Sequence, residues 1–177
     1  MRRLLIVAAA VLALALPALA LAQQPTTFRA QLGTLNRSGV TGAAWLTLDG
    51  STLTVSVQAT GLEPGAHLRH IHGGPPAFAG KSDVLISKCP TPRADADGDG
   101  IVSVAEGVPD YGPVIVNLNT FSTSDGTLND TQVFNLTADQ LAAVAPLDQR
   151  AVVLHGMTGP NGYDISIPVA CGQVHRN

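Results

Sequence analysis

The segment from Asp95 to Glu106, DADGDGIVSVAE, carries oxygen donors at each spacing that a calcium loop requires. Ca²⁺ takes six to eight oxygen ligands, and in EF-hand loops these come from positions 1, 3, 5, 7, 9 and 12. Gly100 stands at position 6, where the chain turns sharply. The sequence therefore predicts a calcium site, with an acidic surface turn as the alternative. The predicted ligands are Asp95, Asp97, Asp99, Ile101 through its carbonyl oxygen, Ser103 and Glu106.

The flanks of this loop differ from those of a paired EF-hand, which has a helix on each side. Pro90 and Pro92 precede the loop and predict an extended approach. Gly107-Val108-Pro109 follows it and limits any helix there to about one turn. We expect a lone calcium loop inside another fold, with a structural role, because there is no helix pair for calcium to open.

Three histidines lie close together in AHLRHIHGG. In a strand, His70 and His72 would point to one face and His67 to the other. Two imidazoles on one face form half of a copper or zinc site, and His155 is the candidate third ligand. The alternative is a polar strand face without metal. His175, near the C-terminus, is expected to be disordered.

The N-terminus has the pattern of a secretory signal peptide. Arg2 and Arg3 precede the apolar run 4–16, and Ala20-Leu21-Ala22 is a cleavage motif. We therefore predict a signal peptide at 1–22 and one exported domain at 23–177, periplasmic or extracellular, without a membrane span in the mature chain. The alternative is an uncleaved anchor.

Two cysteines, Cys89 and Cys171, remain in the predicted mature chain. In an exported protein an even pair is typical of a disulfide, which would enclose about 82 residues, and two buried free thiols are the alternative. Basic residues are scattered singly and the chain has a net charge of −3, so no nucleic-acid partner is predicted. The sequence sets no oligomeric state.

The mature chain has the pattern of an all-β domain. Apolar residues alternate with polar ones in 28–32, 44–48 and 53–59, and Asp49-Gly50 between the last two predicts a hairpin. Further strands are predicted at 114–118, 132–136, 151–155 and 165–169. Short strands at this spacing favour a sandwich or a Greek-key barrel. One short helix is predicted after Thr137, because Thr137 and Gln140 form a capping box.

Several motifs, in this order, resemble the copper/zinc superoxide dismutases. They are Gly61-Leu62-x-Pro64-Gly65, His67 to His72, Cys89, Val152-Val153-Leu154-His155 and Ala170-Cys171-Gly172. The resemblance implies an eight-stranded Greek-key β-barrel, a Cys89–Cys171 disulfide, and copper ligation by His70, His72 and His155. A looser similarity is to the CHRD domain, a secreted β-rich module with a comparable His-x-His strand.

The chain departs from the superoxide dismutase pattern at two places. Asp95 stands where the family has a histidine that bridges copper and zinc, and no histidine occurs between 73 and 154, so the zinc site is missing. Pro168 stands where the family has an arginine that attracts superoxide. The sequence thus favours a non-catalytic, calcium-binding envelope protein that is structural, binds a partner or carries copper. The alternatives are a copper-only dismutase, whose substrate would be the superoxide anion, and an adhesion module of CHRD type with structural histidines.

Overall fold

The computed structural model describes residues 24–74 and 86–177. Ten strands and two α-helices lie in these residues, and the all-β class is confirmed. The strands are β1 Thr26–Thr34, β2 Thr41–Asp49, β3 Thr52–Thr60, β4 Gly65–His67, β5 Arg69–His72, β6 Val114–Asn117, β7 Phe121–Thr123, β8 Thr127–Asn135, β9 Ala151–Gly159 and β10 Gly162–Arg176. The helices are α1 Val104–Tyr111 and α2 Ala138–Val144.

Eight strands form one antiparallel sheet in the order β6-β5-β9-β10-β1-β2-β3-β8, and β4 pairs separately with β7. The β1-β2-β3 meander follows the predicted alternation, and Gly50 supplies the left-handed conformation (φ 57°) that the β2–β3 turn needs. The chain then crosses from β3 to β5 and from β8 to β9, which are distant in the sheet. These crossings make the predicted Greek-key arrangement.

The sheet curls around its larger apolar core, and an ion pair joins β5, next to one edge strand, to β8, the opposite edge strand. Arg69 of β5 is buried, and its Nη1 donates to Asp130 Oδ2 of β8 at 2.9 Å. Arg69 Nε also donates to the carbonyl oxygen of Asn119 at 3.3 Å. The curled sheet is therefore closed by side chains where its outer strands share no backbone ladder.

Helix α1 is longer than the single turn that Pro109 suggested, and the sequence predicted one helix where there are two. Ser103 and Glu106 form a capping box at its start, and the Gly112 N–H donates to the Val108 carbonyl oxygen at its end. Tyr111 is buried, and its ring lies against Gly107, which has no side chain to obstruct it. Capping and burial outweigh the one hydrogen bond lost at Pro109. Before the loop, a 3₁₀ turn at Pro92–Ala94 replaces the expected fully extended approach.

The second helix, α2, follows the prediction. Thr137 caps it, Gln140 completes the capping box, and Pro146 comes shortly after its end. The disulfide between Cys89 and Cys171 is also present, and it ties the segment before the calcium loop to β10.

No helix in the described ranges is long and apolar enough to cross a membrane. The predicted signal peptide lies outside the described residues.

Candidate metal centre

His70, His72 and His155 converge on one point. One ring nitrogen of each lies within 4.8 Å of the others. Strand β5 supplies the first two and the neighbouring strand β9 supplies the third, with His70 opposite Val153 in the β5–β9 ladder. The predicted three-histidine group is thus assembled by strand pairing between segments that are distant in the sequence.

Backbone carbonyls fix the tautomers of the two buried histidines. His72 Nδ1 donates to the Gly112 carbonyl oxygen at 2.8 Å, and His155 Nδ1 donates to that of Ser166 at 2.7 Å. A neutral imidazole carries one N–H, so each Nε2 is left as a bare lone pair. His72 Nε2 is buried and has no hydrogen-bond partner among the described residues. Such an orphaned nitrogen is unfavourable unless something binds it.

His70 completes the group from the side of the solvent. Its Nδ1 lies 3.3 Å from His155 Nε2, and its ring is half-buried. Two nitrogens that each bind one ion at about 2.0–2.1 Å lie roughly 3–4 Å apart. The separation of His70 and His155 therefore suits two ligands of a single ion.

Burial keeps these imidazoles uncharged. Desolvation lowers the pKa of His155 to about 3 and that of His72 to about 4, and it lowers the pKa of His70 as well. For His72 and His155, hydrogen bonds to Gly112 and Ser166 oppose this effect, and the neighbouring histidines add to it. Only a neutral imidazole binds a metal, so at neutral pH all three rings are in the ligand form.

His67 lies outside this group, as its position in the strand predicted. It is buried, with Nδ1 2.9 Å from the carbonyl oxygen of His155 and Nε2 2.8 Å from that of Glu63. It therefore supports the backbone of His155. His175 is exposed in β10, opposite Arg29 of β1, so the expectation that it is disordered is wrong: strand pairing extends to Arg176.

Tyr111 and Gly112 support His72, and sequence reasoning missed both. The ring of Tyr111 lies 4.5 Å from that of His72, and its hydroxyl donates to the Val104 carbonyl oxygen at 3.3 Å. Burial raises the pKa of Tyr111 to about 12, so it stays neutral. Gly112 has φ 83°, and a Cβ there would overlap the carbonyl oxygen of Gly73. The Gly112-Pro113 pair after an apolar helix was the available sign of a special backbone position.

The three histidines fit a transition metal. Imidazole suits copper and zinc, and the orphaned His72 Nε2 is a donor without a proton or a partner among the described residues. Metal-binding histidines usually donate their second ring nitrogen to a carbonyl or carboxylate, as His72 and His155 do.

The predicted calcium loop is folded around its three aspartates. Carboxylate oxygens of Asp95, Asp97 and Asp99 lie within 4.8 Å of one another. Asp95 accepts hydrogen bonds from the Gly98 and Gly100 N–H groups at 2.8 and 2.9 Å, and Gly100 adopts φ 89° at the expected turn. The carboxylates are therefore held by the backbone of their own loop.

Glu106 is not part of that aspartate group. Its carboxylate accepts from the backbone N–H and hydroxyl of Ser103, both at 2.8 Å, and from the Ala96 N–H at 2.8 Å. These hydrogen bonds, led by that from the Ser103 N–H, lower the pKa of Glu106 to about 2. Glu106 joins the two ends of the loop, and Ser103 serves as the cap of α1. Ile101, the predicted carbonyl ligand, is half-buried.

Asn36 fastens the loop to the sheet, which the sequence did not suggest. Its amide donates to the Val102 carbonyl oxygen at 3.0 Å and accepts from the Val102 N–H at 2.8 Å. The same amide donates to the Pro168 carbonyl oxygen at 2.9 Å. Asn36 adopts φ 52°, a conformation that asparagine tolerates better than most residues.

Comparison with known proteins identifies the family of the domain. The model of the CHRD domain matches residues 28–163. This chain belongs to the CHRD domain family. The match confirms the looser of the two similarities predicted from the sequence, and the matched range of the CHRD domain includes the three histidines and the aspartate loop.

Comparisons of other kinds find less. Curated protein sequences give no significant match. Among solved structures, this chain is similar to two variants of superoxide dismutase 5 from Candida albicans. One has 14% identity and a TM-score of 0.45, covering 88% of this chain and 94% of that one. The other has 17% identity and a TM-score of 0.44, covering 85% and 92%.

Proposed function

We propose that this CHRD-domain protein is an exported copper-binding protein that holds one ion with His70, His72 and His155. The observation that carries the proposal is the buried Nε2 of His72, which has no partner among the described residues while its Nδ1 is fixed by Gly112. Nε2 of His155 also carries no proton, because its Nδ1 donates to the Ser166 carbonyl oxygen, and its neighbour at 3.3 Å is Nδ1 of His70, another candidate ligand. Export is supported by the disulfide, since such bonds persist in oxidising compartments.

Copper is preferred over the other candidate metals on ligand chemistry. Three neutral imidazoles accept copper, zinc or nickel, and among divalent first-row ions Cu²⁺ binds a given nitrogen site most tightly. When bound, copper supplies one-electron redox chemistry. The residues of this chain supply neutral donors, fixed tautomers and a largely buried site.

The proposed role is binding or carrying copper, without turnover. Pro168 lies opposite His155 in the β9–β10 ladder, so the position carries no cation to attract a small anion. The neighbouring Arg69 is buried and directed to Asp130. A copper-dependent dismutase is the second candidate, favoured by the half-buried His70, which would give a small molecule access to the site from solvent.

We also propose a structural Ca²⁺ site in the loop from Asp95 to Glu106. The three aspartates already lie close together, and bound Ca²⁺ would relieve the repulsion between their charges. The loop leads directly into α1, whose last residue, Tyr111, packs on His72. Ordering this loop would therefore support the wall of the histidine site.

Titration of the metal-free mature protein tests the copper proposal. We expect Cu²⁺ to bind one per chain and more tightly than Zn²⁺, with a nitrogen-rich electron paramagnetic resonance spectrum. His72→Gln should lose this binding, and His175→Gln, an exposed histidine outside the group, should keep it. Equal binding by both variants would refute the assignment. A superoxide assay on the copper-loaded protein separates the two candidates, because only a dismutase would consume superoxide catalytically.

A further inference from the structure

The outer face of β1-β2-β3-β8 contains a groove away from the histidines. Its volume is about 500 Å³, within the roughly 300–1,000 Å³ typical of ligand sites. Its lining includes Arg29, Gln31, Ala43, Trp45, Gln58 and Asn129. It shares no residue with the proposed copper or calcium site.

Strand register explains why this groove is a depression. Ala43 lies in the row of outward-facing residues between Gln31 of β1 and Gln58 of β3. Its methyl group is short, and the longer side chains on both sides leave it only 6% exposed. In the next row, Trp45 stands between Arg29 and Ser56 and forms one wall. The groove thus has a flat floor and an indole at its side.

Two amides of the lining have little internal competition, whereas Gln31 is engaged, because its Nε2 donates to the Gly42 carbonyl oxygen at 2.7 Å and its Oε1 accepts from Arg29. Gln58 Nε2 reaches Asn129 Oδ1 only at 3.4 Å, which is long for a hydrogen bond, so both amides remain available to a ligand. Trp45 is 38% exposed although it is a large aromatic residue. An exposed ring beside paired amides and hydroxyls matches a pyranose, whose C–H face packs on aromatics and whose hydroxyls both donate and accept.

The charge of the groove favours a negatively charged saccharide over a neutral one. Arg29 is the only charged residue of the lining, and no carboxylate lies within ion-pair distance of it in the described residues. Its guanidinium lies 5.7 Å from the centre of the Trp45 ring and donates to Gln31 Oε1 at 3.0 Å. The whole chain has 13 acidic residues against 10 basic ones, so a groove lined by an arginine and by no acidic residue is a local exception. Guanidinium pairs well with carboxylate.

We propose that this groove binds an acidic polysaccharide, with Trp45 packed against a sugar ring and Arg29 paired with a uronate carboxylate. Gln58 and Asn129 would bind the hydroxyl groups. The proposal is independent of metal binding, since it rests on other strands and other residues.

Fluorescence gives a direct test, because Trp45 is the single tryptophan of the chain. Oligogalacturonate is titrated into the mature protein, with an uncharged glucose oligomer of equal length for comparison. We expect a saturable change of emission with the uronate only. Isothermal titration should then show affinity at least about tenfold weaker in Trp45→Ala and in Arg29→Gln.

Val133→Thr is the matched control. It changes an exposed residue of β8 on the same face but outside the lining, and it should bind like the parent chain. Thermal unfolding of every variant checks folding, and Arg29→Gln keeps the indole if Trp45→Ala fails to fold. Absence of binding at millimolar uronate, equal binding of the uncharged oligomer, or full affinity in Arg29→Gln would each overturn the proposal.

Discussion

His72 and Gly112 are joined by a hydrogen bond of 2.8 Å, from the imidazole Nδ1 to the carbonyl oxygen. This bond places the single proton of the neutral ring on Nδ1 and leaves Nε2 free. Gly112 follows the last residue of α1, and Tyr111 just before it packs on the same imidazole. One short helix therefore controls both the tautomer and the position of a proposed ligand.

Replacing Gly112 with alanine should disturb this arrangement. Its backbone (φ 83°, ψ 179°) is a conformation essentially restricted to glycine, and a Cβ would overlap Gly73. We expect a loss of about 1–3 kcal/mol in the free energy of unfolding, together with weaker Cu²⁺ binding. Chemical denaturation and copper titration measure the two effects.

Gly39→Ala controls for backbone strain alone. Gly39 has a similar φ of 77°, but a Cβ at this position would meet no atom within 4 Å among the described residues. It should lower stability without changing copper affinity. If Gly112→Ala binds copper as well as Gly39→Ala, the carbonyl does not position His72.

The metal-free protein should lose stability as the pH falls from 7 to 5.5. The folded-state pKa values of about 4 for His72 and about 3 for His155 lie below the ordinary value of 6.5. As the pH falls, the unfolded chain therefore takes up protons before the folded chain does. The stability that the neutral histidines contribute is complete above pH 6.5 and is lost as the pH falls below this value. Each of these two histidines should lower the free energy of unfolding by about 1 kcal/mol between pH 7 and pH 5.5.

Urea denaturation in the presence of a chelator measures this dependence. The interval lies above the usual range of carboxylates, so histidines dominate it. His175→Gln removes an exposed imidazole and should leave the dependence unchanged. Equal stability of the parent chain at pH 7 and 5.5 would show that the imidazoles are not buried in the neutral form.

Asp130→Asn should destabilise the closed sheet. The substitution leaves the guanidinium of Arg69, 2% exposed, without its carboxylate partner. Breaking a fully buried pair costs about 3–5 kcal/mol, and we expect about 2 kcal/mol because Asp130 is 33% exposed. Asp139→Asn, an exposed carboxylate on α2, should change stability by less than about 0.5 kcal/mol. Similar denaturation midpoints for the two variants would exclude a closing role for the ion pair.

Calcium should stabilise the chain, and Asp97→Asn should weaken that effect. Binding to the folded state alone adds RT ln(1 + [Ca²⁺]/Kd) to stability, so the melting temperature should rise with calcium concentration. Loss of one of the three clustered carboxylates should weaken calcium binding by about tenfold or more. Asp110→Asn makes the same charge change nearby, outside the loop, and should bind normally. No thermal shift at millimolar calcium in the parent chain would argue against the site.

Much of the fold could be predicted from local patterns. Alternation located β1, β2 and β3, and Asp49-Gly50 located the β2–β3 hairpin, because one face of each strand is buried. The full length of β10 was underestimated, since most of its residues just beyond 169 are buried on both faces and show no alternation. The length of α1 was underestimated from Pro109, because the packing of Tyr111 that stabilises the helix is a tertiary contact.

The candidate site was predictable in its ligands but less so in its supports. The two-residue spacing of His70 and His72 places both side chains on one face of a strand. Pairing of β5 with β9 places His155 beside them. Gly112, Tyr111 and Asn36 act through contacts between distant segments, which no local pattern encodes. The Arg69–Asp130 pair, which joins β5 to the opposite edge strand β8, was missed for the same reason.

The metal content of the purified mature chain tests the central claim most directly. Produced with copper and zinc both supplied, the parent protein and His175→Gln should each contain one copper per chain by elemental analysis. His72→Gln and His155→Gln, with unchanged circular dichroism, should contain almost none. A parent chain without copper, or copper retained in folded His72→Gln, would contradict the assignment.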